Sequence, residues 1–306
     1  MAGGKSEQYS LFFIRRFKGK VLFNVPMKDY TSFKIGGPAD VMAFPKDEGD
    51  LKDLVTFAEA KHFQYYILSA GTNILVRDAG MRGIVINMTE GFKDITWTEE
   101  SKAVVGAGVR LAELCVECRE RGLSGVEFSA NIPGTVGGAV LMNAGAYGSE
   151  MKEVVDGVEF MDAKGRKGFL SNKEIGFKYR STAIPKGAII TRAHMSFVKS
   201  TPDSVGARMN DFREKRKATS KITHPNAGSI FKNPAGKFAG VLIDEAGLKG
   251  EQIGKAKISE IHGNYIVNLG GAKAKDVLQL MALVRDNVYG TTGVTLEPEI
   301  KVVGED

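Results

Sequence analysis

The sequence predicts an α+β protein of two or three lobes, and three observations carry that prediction. At 306 residues the chain exceeds one compact core of about 100 to 150 residues. Beyond residue 100 its strand-like runs fold back as hairpins, which a doubly wound parallel sheet does not do. The triplet Gly106-Ala107-Gly108 begins like a dinucleotide-binding fingerprint but lacks the third glycine, so no Rossmann domain is expected.

The elements follow in chain order. Residues 39–45 read as a strand, and residues 47–62 as an amphipathic helix with Leu51, Leu54, Val55 and Ala58 spaced i, i+3, i+4, i+7. Residues 65–68 and 83–88 read as further strands, completing a small α/β lobe. A second α+β lobe takes a strand at 103–108, a helix in VRLAELCVECRERGL, a hairpin over 155–170 turning at Lys164-Gly165, and a strand at 188–198. Thr201-Pro202-Asp203 starts a helix with proline at its first position. Val205, Met209 and Phe212 form its inner face, and it is expected to bridge lobes. Beyond it lie a helix at 238–246 closed by Gly247, a strand at 264–268, a helix at 273–288 and a last strand at 294–303. The 273–288 helix carries Val277, Leu280, Met281, Val284 and Val288 on one face. No internal repeat or low-complexity segment is visible.

Composition narrows the function classes. Hydrophobic content of 43% and charged content of 25% fit a soluble globular protein and exclude disorder. The 42 Lys+Arg against 36 Asp+Glu give a net charge of +6. These charges are scattered apart from one cluster, REKRKATSK (213–221), with no interleaved aromatics after Phe212, so small anionic ligands fit better than nucleic acid. The opening MAGGKSEQYSLFFIRRFKGK has too short an apolar run for a signal peptide, and no run approaches the roughly 18 residues of a membrane span. A cytoplasmic protein is expected, with no membrane partner. Cys115 and Cys118 form a C-x-x-C, but they share an apolar helical face with Leu111 and Leu114, and no second cysteine pair exists. They are assigned to the core, without chemistry, and no metal site is expected.

Two glycine-rich stretches stand apart. In NIPGTVGGAVLMNAGAYG (131–148) the glycines 134, 137, 138, 145 and 148 punctuate a run almost without charge, which no ordinary helix or strand would do. Such a run frees backbone N–H groups for a phosphate or pyrophosphate, or it is a tight buried loop whose glycines only satisfy awkward dihedrals. LSAGTNILVRDAGMRG (68–83) repeats the idea after the 65–68 strand, with Gly71, Thr72 and Asn73 at the strand end. Two such loops suggest a long ligand with two anchoring points.

Taken with TSFKIGGPAD (31–40), GLSGVEFSANIPGTVGGAVLMNAGAYG (122–148), Tyr179-Arg180, AGSIFKNP (227–234) and LEPEI (296–300), these stretches resemble the UDP-N-acetylenolpyruvoylglucosamine reductases, flavoenzymes of bacterial cell-wall precursor synthesis. The resemblance runs in order from about residue 30 to 303 and implies a two-lobe FAD-binding domain of the vanillyl-alcohol-oxidase type plus a C-terminal α+β substrate-binding domain. It places the first lobe at 1–90, joined by a returning final strand at 294–306, the second at 91–207 and the substrate domain at 208–293. It further implies noncovalent FAD, NADPH as co-substrate, a UDP-sugar substrate and a monomer. No histidine stands in either glycine loop to attach the flavin.

The same resemblance assigns residues. FAD would be held by Gly71, Thr72, Asn73 and Ile74 in one loop. In the other it would be held by Asn131, Ile132, Pro133, Gly134, Thr135, Gly137, Gly138, Asn143 and Gly145. Reducing an enolpyruvyl ether needs, besides a hydride, a cation for the charge developing on the carboxylate side and an acid for the neighbouring carbon. Arg180 in FKYRST would be the cation and Ser229 in AGSIFKNP the acid. Glu299 in LEPEI is the third residue. Strand alternation alone would put Glu297 and Glu299 on one face and cannot choose between them. Lys217, Lys232 and Asn233 are the expected contacts to diphosphate and sugar, and Tyr179 would close on the substrate.

The chain departs from that pattern in places. The stretch between Arg180 and Ser229 is too short for the substrate-capping insertion of the longer members, so this is the shorter, second type. Asn131 stands where a glycine is usual, and Asn is the next-best residue for a left-handed backbone. Ser220-Lys221 stands where Gln-Pro is expected, which bears on the phosphate contacts. Two rival readings remain: another flavin oxidoreductase of the same fold, and a colourless nucleic-acid-binding module using residues 213–221, whose affinity would fall steeply with salt.

Overall fold

The structure, a computed structural model, describes residues 12–217 and 221–306. It divides into two compact units that do not follow chain order. The first comprises Met1–Phe23, Val41–Ser69 and Gly83–Lys215, the second Asn24–Asp40, Ala70–Arg82 and Arg216–Asp306.

In the first unit the helix Glu48–Ala60 starts where the Asp50 N–H donates to Asp47 Oδ1 at 2.9 Å, a cap contributing about 0.5–2 kcal/mol. Its Leu51, Leu54, Val55 and Ala58 are fully buried against Val41, Ala43, Ile84 and Ile86. Asp50 on the same helix is buried as well, and its carboxylate accepts the N–H groups of Lys18 and Lys46. Strand Tyr65–Leu68 pairs in parallel with residues 84–87.

A five-stranded antiparallel sheet forms the rest of this unit, ordered Lys167–Ser171, Val155–Met161, Ile189–Ser196, Lys102–Gly106, Ile95–Glu99. The hairpin turns as expected, with the Gly165 N–H donating to Asp162 O at φ +73°. Strands Lys20–Pro26 and Ile95–Glu99 were not expected. Residues of Lys20–Pro26 carry no clean alternation, and Ile95–Glu99 alternates over only five residues, with Ile95 and Trp97 half-buried and Thr96 and Thr98 exposed.

The helix Leu111–Glu120 buries Leu111, Leu114, Cys115 and Cys118 against one core. Burial pushes the Cys115 thiol up to about 12, against the opposing hydrogen bond with Ser129, and burial with the neighbouring Cys115 pushes Cys118 up as well. At pH 8 both thiols should therefore react with a maleimide at least about a hundredfold more slowly in the native protein than in denaturant, because only the thiolate attacks. Native labelling at the unfolded rate would contradict their place in the core.

The expectation that residues 131–148 contain no regular element is corrected. Val136–Leu141 is a short helix, preceded by Thr135 in extended conformation. The glycines inside it serve close approach: a Cβ on Gly137 would lie 2.8 Å from the Ala107 Cβ, and one on Gly138 would lie 3.0 Å from Ser69 Oγ. Pro202–Lys217 is a helix beginning at proline as expected, and through Lys215 it belongs to the first unit. Val205 is buried, and Met209 and Phe212 pack on the same core as the cysteines.

The second unit holds a three-stranded antiparallel sheet, Gln252–Ile253, Ala256–Ile258 and Ile266–Asn268, with the helix Ala274–Thr292. Val277, Leu280, Met281, Val284 and Val288 of that helix bury into a core shared with Phe33, Ile35 and Leu75. The helix runs past the expected end at 288, to a left-handed Gly293. In this last turn the Thr291 and Thr292 hydroxyls donate back to the Asn287 and Val288 carbonyls, bonds that apolar periodicity does not register. The expected strand at 294–303 shrinks to Lys301–Val303, which pairs in parallel with Ile74–Val76. Pro298 cannot donate to a ladder, and the segment before it makes only an isolated antiparallel bridge to Phe231. The strand expected at 264–268 begins only at Ile266, because the Asn264 N–H goes to His262 Nδ1, its carbonyl to the Ile230 N–H, and the Tyr265 N–H to His262 O.

Candidate active site

The segment containing Ser229 is held by backbone on both sides. Gly228, at φ +74°, donates its N–H to Asn226 Oδ1 at 3.0 Å. One residue beyond Ser229, the Ile230 N–H donates to Asn264 O, and the Glu299 N–H donates to Ile230 O at 2.8 Å. Two residues further, the Lys232 N–H donates to Glu297 O at 2.8 Å, which sets 230–232 and 297–299 side by side with Phe231 opposite Pro298. Asn264, 3% exposed, locks this register: its Oδ1 accepts the Phe231 N–H and its Nδ2 donates to the Phe231 O.

This arrangement separates the two acids that alternation could not. No regular strand passes through residues 297–299, so the expected shared face does not exist. The Glu297 side chain is 72% exposed and pairs with Lys232 Nζ at 3.2 Å. Glu299 is half-buried, and its carbonyl accepts the Asn73 Nδ2 at 3.3 Å. Asn73 in turn accepts the Lys301 N–H, so the first glycine loop is tied to the segment that carries Glu299. In that loop Gly71 sits at φ +65°, where a Cβ would collide with Tyr30 O at 2.1 Å. Thr72 and Ile74 flank Asn73, with Ile74 paired to Lys301.

Of the remaining substrate candidates, Asn233 accepts on its Oδ1 the N–H of Ala239, the first residue of the helix Ala239–Glu245. Lys217 is exposed at the end of its helix, and Ser220 lies outside the described residues.

Arg180 belongs to the first unit. It sits between Lys178 and Ser181, whose main chains bond each other, with φ at +53°, a region costly for a residue with a Cβ. That backbone places the guanidinium so that one terminal nitrogen donates to Asn143 O at 3.3 Å and the other to Gly145 O at 2.8 Å. The guanidinium carbon lies 5.0 Å from the Tyr179 ring centre, and Tyr179 itself is exposed. Asn143, fully buried at φ +40°, donates both Nδ2 protons, to Glu150 Oε2 and Lys178 O, and accepts the Lys152 N–H. Burial raises the Glu150 carboxyl, but hydrogen bonds from Lys152 and Asn143, with the charges of Lys152 and Arg180, outweigh it and hold the group below the usual carboxylate range. A fixed anion thus stands near the arginine.

The second glycine stretch carries one orphan. Asn131 Nδ2 is buried without a hydrogen-bond partner, a donor that a bound acceptor would satisfy. Beside it Ile132, Pro133 and Gly134 lead to the buried Thr135, whose hydroxyl shares a 2.5 Å hydrogen bond with Ser69. The Gly137 backbone lies too close to Ala107 for a side chain, and a Cβ on Gly138 would press on the Ser69 hydroxyl. A nucleotide cofactor suits this surface: a glycine-lined backbone with an unspent amide can meet pyrophosphate or ring oxygens. Sequence reasoning passed over Ser69, Glu150, Asn226 and Asn264. Each acts through a single buried or half-buried hydrogen bond pattern that leaves no periodic trace.

Comparison with known proteins agrees with this geometry. Residues 39–167 match a family model described as an FAD binding domain, and residues 220–303 match the C-terminal domain of UDP-N-acetylenolpyruvoylglucosamine reductase. Curated reductases of that name from Alkaliphilus oremlandii and Caldanaerobacter subterraneus are 42% and 43% identical, over 94% of this chain and 94% and 95% of theirs. The solved structure of the enzyme from Thermus caldophilus superposes with a TM-score of 0.80 at 37% identity, covering 93% of this chain and 98% of that one. With both glycine loops in the matched N-terminal region and the Ser229–Glu299 segments in the matched C-terminal one, the chain belongs to the UDP-N-acetylenolpyruvoylglucosamine reductase family of FAD-dependent oxidoreductases.

Proposed function

We propose that Arg180, Ser229 and Glu299 carry out the family's reaction in this chain, the NADPH-dependent reduction of UDP-N-acetylglucosamine enolpyruvate to UDP-N-acetylmuramate for peptidoglycan. FAD held by the residues below would supply the hydride chemistry, with NADPH as the source of the reducing equivalents. Gly71, Thr72, Asn73, Ile74, the run from Asn131 through Thr135, and Gly137, Gly138 and Gly145 would hold FAD, without a covalent link. Asn143 serves the same region through Arg180, since both its amide protons are spent within the protein.

Arg180 faces the carboxylate side, where its always-charged planar fork stabilises the enolate that hydride arrival creates. The Ser229 hydroxyl gives its proton to the resulting carbon, and Glu299 polarises the reacting group. The observation that carries this assignment is the register of 230–232 against 297–299, which ties the Ser229 and Glu299 segments together through Ile230. Lys217, Lys232 and Asn233 take the diphosphate and sugar, and Tyr179 closes over them. The lobes at 1–90, 91–207 and 208–293 are the units in which we read this chemistry, in a cytoplasmic monomer whose product supports cell shape and division.

The reading is tested in one cuvette. Flavin absorbance of the purified protein should bleach with anaerobic NADPH and return when the UDP-enolpyruvyl sugar is added. Bleaching that the sugar fails to reverse would refute the substrate, and a protein that takes up no FAD would refute the whole reading.

The two acids give a sharper contrast. Glu299→Gln should lower turnover by about a hundredfold or more, the usual scale for a positioned acid–base group. Glu297→Gln breaks only an exposed ion pair and should stay within about twofold. Reversed effects would move the role to Glu297.

A further inference from the structure

The turn at Tyr147-Gly148 holds a large aromatic residue where small ones belong. Gly145-Ala146 and Ser149-Glu150 pair as a two-residue hairpin, with Ser149 opposite Ala146 and Glu150 opposite Gly145. Both turn residues have positive φ, Tyr147 at +57° and Gly148 at +90°. Such turns favour Asn-Gly or Asp-Gly, and an aromatic residue at the first position is disfavoured by its Cβ.

Two contacts hold Tyr147 there. Its ring stacks on Phe212 of the helix Pro202–Lys217, with centroids 4.6 Å apart and planes 6° apart. Its hydroxyl donates to the Phe212 carbonyl at 3.1 Å. The hairpin is therefore pinned to a helix whose Met209 and Phe212 are seated on the unit's core. The ring remains 41% exposed, so burial alone does not account for an aromatic residue in this conformation.

The hairpin so pinned is what Arg180 rests on. Gly145 O accepts one guanidinium nitrogen at 2.8 Å, and Glu150, directly opposite Gly145, accepts the Asn143 amide. Asn143 O accepts the other guanidinium nitrogen. We infer that Tyr147 is a positioning residue for Arg180: by clamping the 145–150 hairpin to Phe212, it fixes the two carbonyls that aim the guanidinium. The inference rests on the proposed role of Arg180, through which Tyr147 acts without touching substrate.

The test replaces Tyr147 by Asn, which accepts the left-handed turn but provides neither the stack nor the bond to Phe212. Tyr147→Asn should slow sugar-dependent recovery of flavin absorbance by about 10- to 100-fold, the scale of a misplaced catalytic group, at unchanged FAD content and unchanged bleaching by NADPH. The loss should fall on kcat for the sugar, and amide exchange at residues 145–150 should speed up with or without FAD. Tyr147→Phe, which retains the stack, should return to within about threefold of the parent, since one neutral hydrogen bond contributes little net. In an Arg180→Ala background, Tyr147→Asn should cause no further loss. Parent-like sugar reduction by Tyr147→Asn, or a loss that multiplies that of Arg180→Ala, would overturn the inference. If Arg180→Ala alone leaves turnover unchanged, the role of Arg180 itself fails, a result distinct from failure of the Tyr147 link.

Discussion

Ser229→Ala should lower sugar-dependent turnover by about 10²- to 10⁴-fold, the range for loss of a positioned general acid. Bleaching by NADPH and FAD content stay as in the parent. The argument starts from the backbone. Ser229 lies between Gly228, turned by Asn226, and Ile230, whose N–H and carbonyl are both engaged, so its Cα position does not depend on its own side chain. Alanine fits the same backbone, and the variant should melt within a few degrees of the parent. The lost element is the proton. A hydroxyl is a weak acid, so this role requires a strongly basic carbon after hydride arrival. In D₂O the parent should therefore place one deuterium on that carbon and show a solvent isotope effect in the sugar half-reaction. Ser229→Cys, which keeps a proton donor, should lose less than Ser229→Ala. Turnover of Ser229→Ala within about threefold of the parent would remove Ser229 from the mechanism, because a general acid cannot contribute so little.

Much of the frame that positions these residues was legible in the sequence, for stated physical reasons. The helix Glu48–Ala60 announced itself through four apolar residues at helical spacing, and Pro202–Lys217 through proline at its first position. Strand Tyr65–Leu68 was legible as a short apolar run stopped by the glycine loop. The cysteine pair resolved into core because its helical face was apolar. What periodicity could not show were segments held by irregular bonds. Residues 294–300 look like a strand in composition, but Pro298 removes a donor, and the bonds that remain go to Ile230 and Lys232. The short helix Val136–Leu141 was hidden because its glycines serve contact with Ala107 and Ser69, which lie elsewhere in the chain.

The candidate site was legible mainly as motifs. Nothing in the residue types of FKYRST indicates a left-handed arginine, and nothing in HGNY indicates that Asn264 clamps both polar groups of the Phe231 backbone. Such clamps involve one residue acting on a distant one, so they have no spacing to read. The exposed Glu297 and half-buried Glu299 were distinguishable only once the neighbouring backbone was placed.

Arg180→Ala should produce a loss of about 10²- to 10³-fold in the sugar half-reaction, comparable to removing one donor from an oxyanion site. The structure holds this arginine in a way that serves direction more than stability. Its backbone sits at φ +53°, its two carbonyl contacts are neutral acceptors, and its charge also acts on Glu150, which binds Lys152 and Asn143. Carbonyl acceptors orient a guanidinium and leave it charged, so the fork is aimed by neutral groups while it carries charge toward a developing enolate. Alanine at this position removes both contacts but relieves little strain, because it too carries a Cβ, and the melting temperature should move only slightly. Arg180→Lys tests the geometry. A lysine keeps the charge but cannot bond Asn143 O and Gly145 O in the same fork, so it should recover only part of the lost rate. Full recovery by lysine would mean that charge alone suffices and that the two carbonyls do not aim the group. An Arg180→Ala variant with parent-like sugar reduction would leave the charge at the reacting carboxylate to another cation, with Lys232 the first to test on the Ser229 segment.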